Sequence, residues 1–341
     1  FFLLSGEHET LPSSEIKAIL EAEGYVFRIL EKLDQLLRIE ADRKCVNAVK
    51  ERAAYTKLCG LELILCEAKH EEILKHVRSI DFSPLLPHGE NFVVRVKRVK
   101  SHAQEINSVA LERQIGAAIL QATEKTRVDL KNPDKTFVGI LTNSKFIFGL
   151  KLADVPSKPF SERTLKNRPF VHPSAMQPKL ARAMVNLARS KAGKLVFDPF
   201  CGTGSILIEA ALIGCRVLGM DIKKQMAKGA SRNFIYYGIN PEGIVVGDAK
   251  YPPVNAVDCV VTDPPYGRSA TTMRRAPEQV VRDSLEAIYQ ILKRDSHICM
   301  AAPETVNISH IGKALGYEHV ESHFVYVHGS LTREVAVFIR K

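Results

Sequence analysis

Four short apolar runs in the second half of the chain each end at an aspartate, with helix-length segments between them. The first lies in residues 194–200 and stops at Asp198; the second is residues 216–221 and stops at Asp221. Residues 243–246 lead through Gly247 to Asp248, and residues 257–262 lead to Asp263. Strands this short and this apolar need cover on both faces, and intervening helices supply it. The pattern predicts an α/β fold, a doubly wound and mostly parallel sheet. Helices are expected over residues 178–192 and 205–213. The end differs, because residues 323–327 and 334–339 read as strands joined by a short turn. An antiparallel hairpin therefore closes one edge of the sheet.

Open sheets of this kind bind ligands beyond the carboxyl ends of their strands. There the chain reads Phe197-Asp198-Pro199-Phe200-Cys201-Gly202-Thr203-Gly204-Ser205, a strand, a glycine turn and a helix start. Such a turn brings backbone N–H groups to a positive helix end. A dinucleotide fingerprint would need glycine where Leu207 stands, which argues against a nicotinamide cofactor. One strand-end aspartate is an ordinary helix cap. Four in succession line one edge of the sheet, where Asp221 can hold ribose hydroxyls and Asp248 can accept from an adenine amino group.

Asp263-Pro264-Pro265-Tyr266-Gly267 carries the chemistry. Two prolines remove two donors and stiffen the turn, leaving carbonyls free to accept. A planar amine delocalises its lone pair into its ring, so methylating it requires two acceptors that turn the free lobe toward an electrophile. Asp263 and a proline carbonyl can be those acceptors, while Tyr266 stacks on the base. The gain comes from positioning and electrostatics. As a bare turn the segment would carry no function; its meaning comes from the cofactor-type turn in the same sheet.

The first half is organised differently. Residues 1–66 alternate strand and helix signals in a β-α-β-β-α-β order, the ferredoxin-like split βαβ pattern, with helices at 12–24 and 42–55. The pattern restarts across residues 67–153, with a strand at 92–99 that carries Arg95, Lys97, Arg98 and, just after it, Lys100. Residues 154–172 lose periodicity and hold Pro156, Pro159, Lys158, Arg163, Lys166 and Arg168, reading as a basic linker. Residues 173–341 form the α/β domain.

The order from Asp198 through Asp221 and Gly247-Asp248 to the Asp263–Gly267 turn resembles the class I S-adenosylmethionine-dependent amino-methyltransferases. Residues 70–152, with Val128-Asp129-Leu130-Lys131-Asn132-Pro133-Asp134 before two strands, resemble the THUMP domain, an RNA-binding module. Together with Phe170-Val171-His172-Pro173-Ser174, nearly the whole chain looks like the archaeal tRNA (guanine-10 N2) dimethyltransferase family. The resemblance implies S-adenosyl-L-methionine as cofactor, tRNA as partner and guanosine N2 as the methyl acceptor. It implies cofactor contacts from Pro169, His172, Pro173, Ser174, Asp198, Gly202, Gly204, Asp221 and Asp248, with Pro199, Cys201, Thr203, Ile222, Ala249 and Asp263 beside them. Asp263, Pro264, Pro265 and Tyr266 would hold the guanine as the catalytic turn. Met220 and Met226 are expected in the core.

Charge agrees with a polyanionic partner. The chain carries 48 Lys+Arg against 38 Asp+Glu, net +10. The excess is +1 over residues 1–150, +3 over 151–175 and +6 over 176–341, so it gathers in the second half. RNA contacts are expected from Arg95, Lys97, Arg98 and Lys100, although a charged edge strand that merely resists aggregation reads equally well there. Arg268, Arg274 and Arg275 follow the Asp263 turn in a polar loop beside the site and are expected to engage a phosphate backbone. Seven cysteines without a C-x-x-C pair, and histidines without metal spacing, predict no metal site; the odd number also argues against a complete disulfide framework. No run approaches a membrane span, and Phe1-Phe2-Leu3-Leu4 is too short for a signal core. A cytoplasmic enzyme without an obligate protein partner is expected, its start on Phe1 reading as a trimmed N-terminus. Other classes remain open at this point. They are guanosine methylation at tRNA position 6 or another RNA site, adenine-N6 or glutamine-N5 methylation, and a non-catalytic RNA-binding protein.

Overall fold

The computed structural model describes residues 1–87, 89–266, 276–329 and 331–341. They form two compact units. The first contains Phe1–Glu9, Val26–Lys50 and Thr56–Pro156; the second contains Thr10–Tyr25, Glu51–Tyr55 and Ser157–Lys341.

In chain order the elements begin with β1 (Phe2–Leu4), α1 (Leu11–Glu23), β2 (Phe27–Leu33), β3 (Leu36–Ala41), α2 (Cys45–Arg52) and β4 (Thr56–Glu67). Next come α3 (His70–Arg78), β5 (Asn91–Arg98), α4 (Ser108–Ala122), β6 (Arg127–Val128), β7 (Lys135–Thr142) and β8 (Lys145–Asp154). The split βαβ order read from the sequence is present, and its strands lie as β2-β3-β1-β4 with every neighbour antiparallel. The sheet does not stop at residue 66. β4 is twelve residues long, about twice the expected strand, and pairs with β8 along its second half and beyond, so one eight-stranded sheet runs β2-β3-β1-β4-β8-β7-β5-β6. Phenylalanines 82, 92, 137, 146 and 148 fill its core on the β5–β8 side. The 92–99 strand pairs along its length with the parallel β7, whereas on its other edge the two-residue β6 reaches only Asn91 and Phe92, which leaves the basic part of that edge without a strand partner among the described residues.

α1 belongs to the second unit, which periodicity alone could not show. Leu11 and Ala18 join the core formed by Leu180, Ala183, Met184 and Leu187 of α6 (Pro178–Leu187). The buried Glu15 carboxylate accepts from the amides of Ala54 and Tyr55, both at 2.9 Å, and from Asn186 Nδ2 at 2.8 Å. Arg52 donates to Asn186 Oδ1 and to the Ser190 carbonyl. A carboxylate removed from water needs such a full set of donors.

Residues 154–172 are also more structured than a linker. They contain α5 (Lys158–Glu162) and a 3₁₀ turn at Leu165–Asn167. Arg163 and Arg182 both bind the fully buried Glu209, and Arg168 donates to Ser205 Oγ at 2.6 Å. Two of the segment's four cations are thus spent inside the fold rather than offered to a polyanion.

The rest of the second unit alternates β9 (Leu195–Asp198), α7 (Ser205–Ala211), β10 (Arg216–Asp221), α8 (Lys224–Tyr236), β11 (Gly243–Val246) and β12 (Cys259–Thr262). It closes with α9 (Pro277–Ile291), β13 (Ser296–Pro303), α10 (Ile308–Ala314), β14 (Tyr317–His328) and β15 (Leu331–Arg340). The sheet order is β11-β10-β9-β12-β13-β15-β14; its first five strands are parallel, and β15 lies antiparallel between β13 and β14. The terminal hairpin is therefore the antiparallel edge that the sequence predicts, with β15 joined to β13 and β14 outermost. Strand order reverses between β9 and β12, which opens a crevice at their carboxyl ends. Among the described residues no helix is long and apolar enough to cross a membrane.

Candidate active site

A cavity of about 740 Å³ sits at those carboxyl ends. Asp221, Asp248 and Asp263 line it, as do His172, Pro173, Ser174, Pro199, Gly202, Ile222, Ala249, Pro264, Pro265 and Tyr266. One local reason is the turn after β9. Gly202 at φ +53° and Gly204 at φ +81° adopt left-handed conformations that disfavour a side chain, and a Cβ on Gly204 would lie 3.0 Å from the Phe234 ring. Asp221 locks this turn, accepting from the Gly202 amide at 3.0 Å and the Lys223 amide at 2.8 Å. The turn is held by a carboxylate as much as it awaits an anion. Burial raises the Asp221 pKa, against the pull of those two amides.

Asp198 lies behind the cavity. It is 1% exposed, and its Oδ1 accepts from the Thr262 hydroxyl at 2.6 Å and the Phe200 amide at 3.0 Å. It ties the end of β9 to the end of β12 and does not itself border the cavity. Burial pushes its pKa up to about 7. Cys201 and Thr203 are buried in the turn, and neither they nor Gly204 and the exposed Pro169 border the cavity. Asn233 of α8 joins the two flanking pieces: its amide side chain donates to the carbonyls of Phe170 and Thr203 and accepts from the Phe170 amide. That anchor sets the 169–174 segment beside the glycine turn, where His172 Nδ1 lies 2.7 Å from Ser174 Oγ.

At the Asp263 end, the Tyr266 hydroxyl donates to Asp263 Oδ1. Arg333 Nη2 lies 3.5 Å from Asp263 Oδ2, and its guanidinium covers one side of the Tyr266 ring at 5.3 Å from the centroid. Burial raises the Asp263 pKa, while Arg333 and the Tyr266 hydroxyl pull it down. Burial and the Asp263 charge keep the Tyr266 phenol protonated.

The cavity also takes residues that sequence reading missed. Met226, expected in the core, borders it from the first turn of α8; Phe200 and Lys223 come from loops, Glu304 from the turn after β13, and His328 and Arg333 from the hairpin. Phe200 lies within the glycine-turn motif without having been singled out there, and no local motif marks the other positions. Met226 was findable as the helix residue facing the turn, and the others only from sheet order. Among the described residues no cluster of three or more His, Cys, Asp or Glu could hold a metal ion. All seven cysteines are free thiols.

The basic strand divides. Arg98 is consumed internally, donating to the carbonyls of His102, Ala103 and Ile106. Lys100 pairs with Asp34 at 2.8 Å but stays 63% exposed, and Arg95 reaches the Leu130 carbonyl while 41% exposed. Lys97 is exposed as a residue but partly desolvated, which lowers its pKa, with Lys151 and Lys57 adding to the effect against the pull of Asp154. Arg268, Arg274 and Arg275 lie outside the described residues.

Residues 166–333 match the family described as RMKL-like, methyltransferase domain, and residues 67–150 match the THUMP domain. The chain is 37% identical to the tRNA (guanine(10)-N2)-dimethyltransferase of Methanothermobacter thermautotrophicus, over 99% of this chain and 98% of that protein. It is 34% identical to the protein of that name from Methanocaldococcus jannaschii, again over 99% and 98%. Among solved structures, TrmN from Thermus thermophilus matches with a TM-score of 0.55 at 20% identity, covering 100% of this chain and 99% of that one. SMU.472 complexed with SAH matches with a TM-score of 0.52 at 15% identity, over 100% and 98%. These two likenesses establish the fold.

Proposed function

The chain belongs to the tRNA (guanine(10)-N2)-dimethyltransferase family, and from that premise we propose that it methylates N2 of the guanosine at position 10 of tRNA, once and then again. The observation that carries the reading is the Asp263–Tyr266 turn opening into the cavity that Asp221 borders. Methylation at position 6 is the weaker reading. The relative bearing that name, from Archaeoglobus fulgidus, is 23% identical over 96% of this chain.

The cavity fits S-adenosyl-L-methionine. Its volume lies within the roughly 300–1,000 Å³ of small-molecule sites. Asp221, Asp248, Asp263 and Glu304 outnumber Lys223 and Arg333, which suits a ligand bearing a sulfonium cation. Asp221 would hold ribose hydroxyls and Asp248 the adenine edge, with Ile222 and Ala249 packing beside it. When bound, the cofactor supplies an electrophilic methyl group. Asp263 accepts an N–H of the guanine amine and carries the positive charge that develops on N2; a proline carbonyl of the turn is the second acceptor. The residues of the first unit, with the THUMP match and the exposed Arg95, Lys97 and Lys100, would hold the tRNA body. A tRNA substrate puts the reaction in the cytoplasm.

Two substitutions probe the assignments. Asp221→Ala is expected to weaken cofactor affinity about ten- to a hundredfold by calorimetry, because it removes a charged acceptor worth ~1.5–3 kcal/mol. A folded variant with undiminished affinity would move the ribose elsewhere. Tyr266→Phe keeps the ring but loses the hydroxyl donated to Asp263, so kcat should fall about tenfold. Tyr266→Ala should fall further, since stacking contributes ~1–3 kcal/mol per base. Equal rates for the two variants would remove stacking from the account. The activity itself is tested by labelled methyl transfer to tRNA, DNA and a release factor in parallel, with only tRNA expected to take label.

A further inference from the structure

Arg333 lies 70 positions from Asp263 in sequence, on no motif, yet it touches both functional side chains of the catalytic turn. Its place is rigid. β15 runs between two partners, and Arg333 is in register with Pro303 of β13 on one side and Val325 of β14 on the other. The side chain is 11% exposed, and its Nε is buried with no acceptor among the described residues. An unfilled buried donor costs stability, so the fold alone gives little reason for an arginine here. The side chain is otherwise committed to the site, with one nitrogen on the Asp263 carboxylate and its plane over the Tyr266 ring.

Resting on the activity proposed above, we infer that Arg333 is a positioning residue for methyl transfer, holding Asp263 ionised and Tyr266 fixed in the orientation that receives the guanine amine. The turn itself follows β12 and contains two prolines, so it has few backbone donors of its own to orient the carboxylate. A guanidinium on β15, two strands away from β12 in the same sheet, supplies that orientation from outside the turn, as preorganised sites require.

The charges around Asp263 give the pH dependence its sign. Arg333 and the Tyr266 hydroxyl favour its carboxylate, while burial opposes it. From β9, the buried Asp198 faces it as a like charge when ionised. Glu304, His328, Asp221, Lys223, Asp248 and His172 are the other titratable groups bordering the cavity. The working form of Asp263 is the ionised acceptor, so activity declines as pH falls through its folded pKa. Removing the adjacent cation raises that pKa, because the ionised carboxylate loses its partner. The acid limb must then move to higher pH.

The test is the single-turnover rate against pH, at saturating tRNA and cofactor, for the wild type, Arg333→Met and Arg333→Lys. Arg333→Met should lose about a hundredfold at neutral pH, the cost of a small misplacement at a reacting centre. Its acid limb should shift up by about one pH unit or more. Arg333→Lys, which keeps the charge but not the planar stack, should lie between the two. Cofactor affinity by calorimetry and tRNA affinity should stay within about threefold of wild type. If Arg333→Met does not fold, the lysine variant alone carries the comparison. Acid limbs that coincide with the wild type in every folded variant would overturn the inference and leave Arg333 a packing residue. A wild-type protein that transfers no methyl group to tRNA would instead overturn the proposed activity, and this inference with it.

Discussion

Asp263→Ala should slow the methyl-transfer step by about a thousandfold or more, within the range for removing a proton-accepting or charge-stabilising group at a reacting atom. Cofactor affinity and tRNA affinity should hardly change. The N2 amine lies in the minor groove of a paired stem, so the base must leave the stack at a cost of a few kcal/mol. Stacking on Tyr266 offsets part of that cost, and many contacts along the tRNA backbone carry binding. The Asp263 contact strengthens only as charge develops on nitrogen, which is why its loss falls on the rate. Removing it also strands Arg333 beside an empty place, a large penalty for a largely buried cation. Asp263→Asn is the companion variant, keeping an acceptor while losing the charge. It should be impaired but measurable. A folded Asp263→Ala protein that kept its rate at saturating tRNA and lost tRNA affinity would make Asp263 a docking residue.

The second large effect concerns truncation. Residues 157–341 expressed alone should fail to give a cooperative thermal transition, although they include every cavity residue. Without Thr10–Tyr25 and Glu51–Tyr55, α6 loses the apolar cover of Leu11 and Ala18. The fully buried Asn186 loses Glu15 and Arg52 together, and the Ser190 carbonyl loses its guanidinium. Each buried polar group left unpaired costs ~1–3 kcal/mol, against a total stability of ~5–15 kcal/mol for a whole domain. Near-ultraviolet circular dichroism through a thermal ramp reads this directly. A sharp transition with undiminished cofactor binding would show the N-terminal pieces to be dispensable.

These two expectations mark what the sequence could convey. Asp221 and Asp263 were legible because each ends a local strand and opens a local turn, so neighbouring residues carry the whole signal. Asp198 has the same local signature, yet it bonds across to Thr262, and only the pairing of β9 with β12 reveals that. Asn233, Met226, Glu304 and Arg333 depend on helix faces and sheet order, which no short window encodes. The first five elements followed the split βαβ reading closely, but the apolar faces of α1 fit more than one partner. Periodicity states that a face is buried without naming what covers it. Likewise the cations of residues 154–172 looked available until Glu209 and Ser205 were found beneath Arg163 and Arg168.

The central claim is that the Asp263 turn methylates guanosine N2 at position 10. It is tested most directly by nucleoside mass spectrometry of an unmodified tRNA transcript after incubation with the protein and labelled S-adenosyl-L-methionine, beside a transcript carrying adenosine at position 10. The account predicts labelled N2-methylguanosine followed by N2,N2-dimethylguanosine in the first transcript and neither in the second. Label on another nucleoside, or equal labelling of both transcripts, would contradict it.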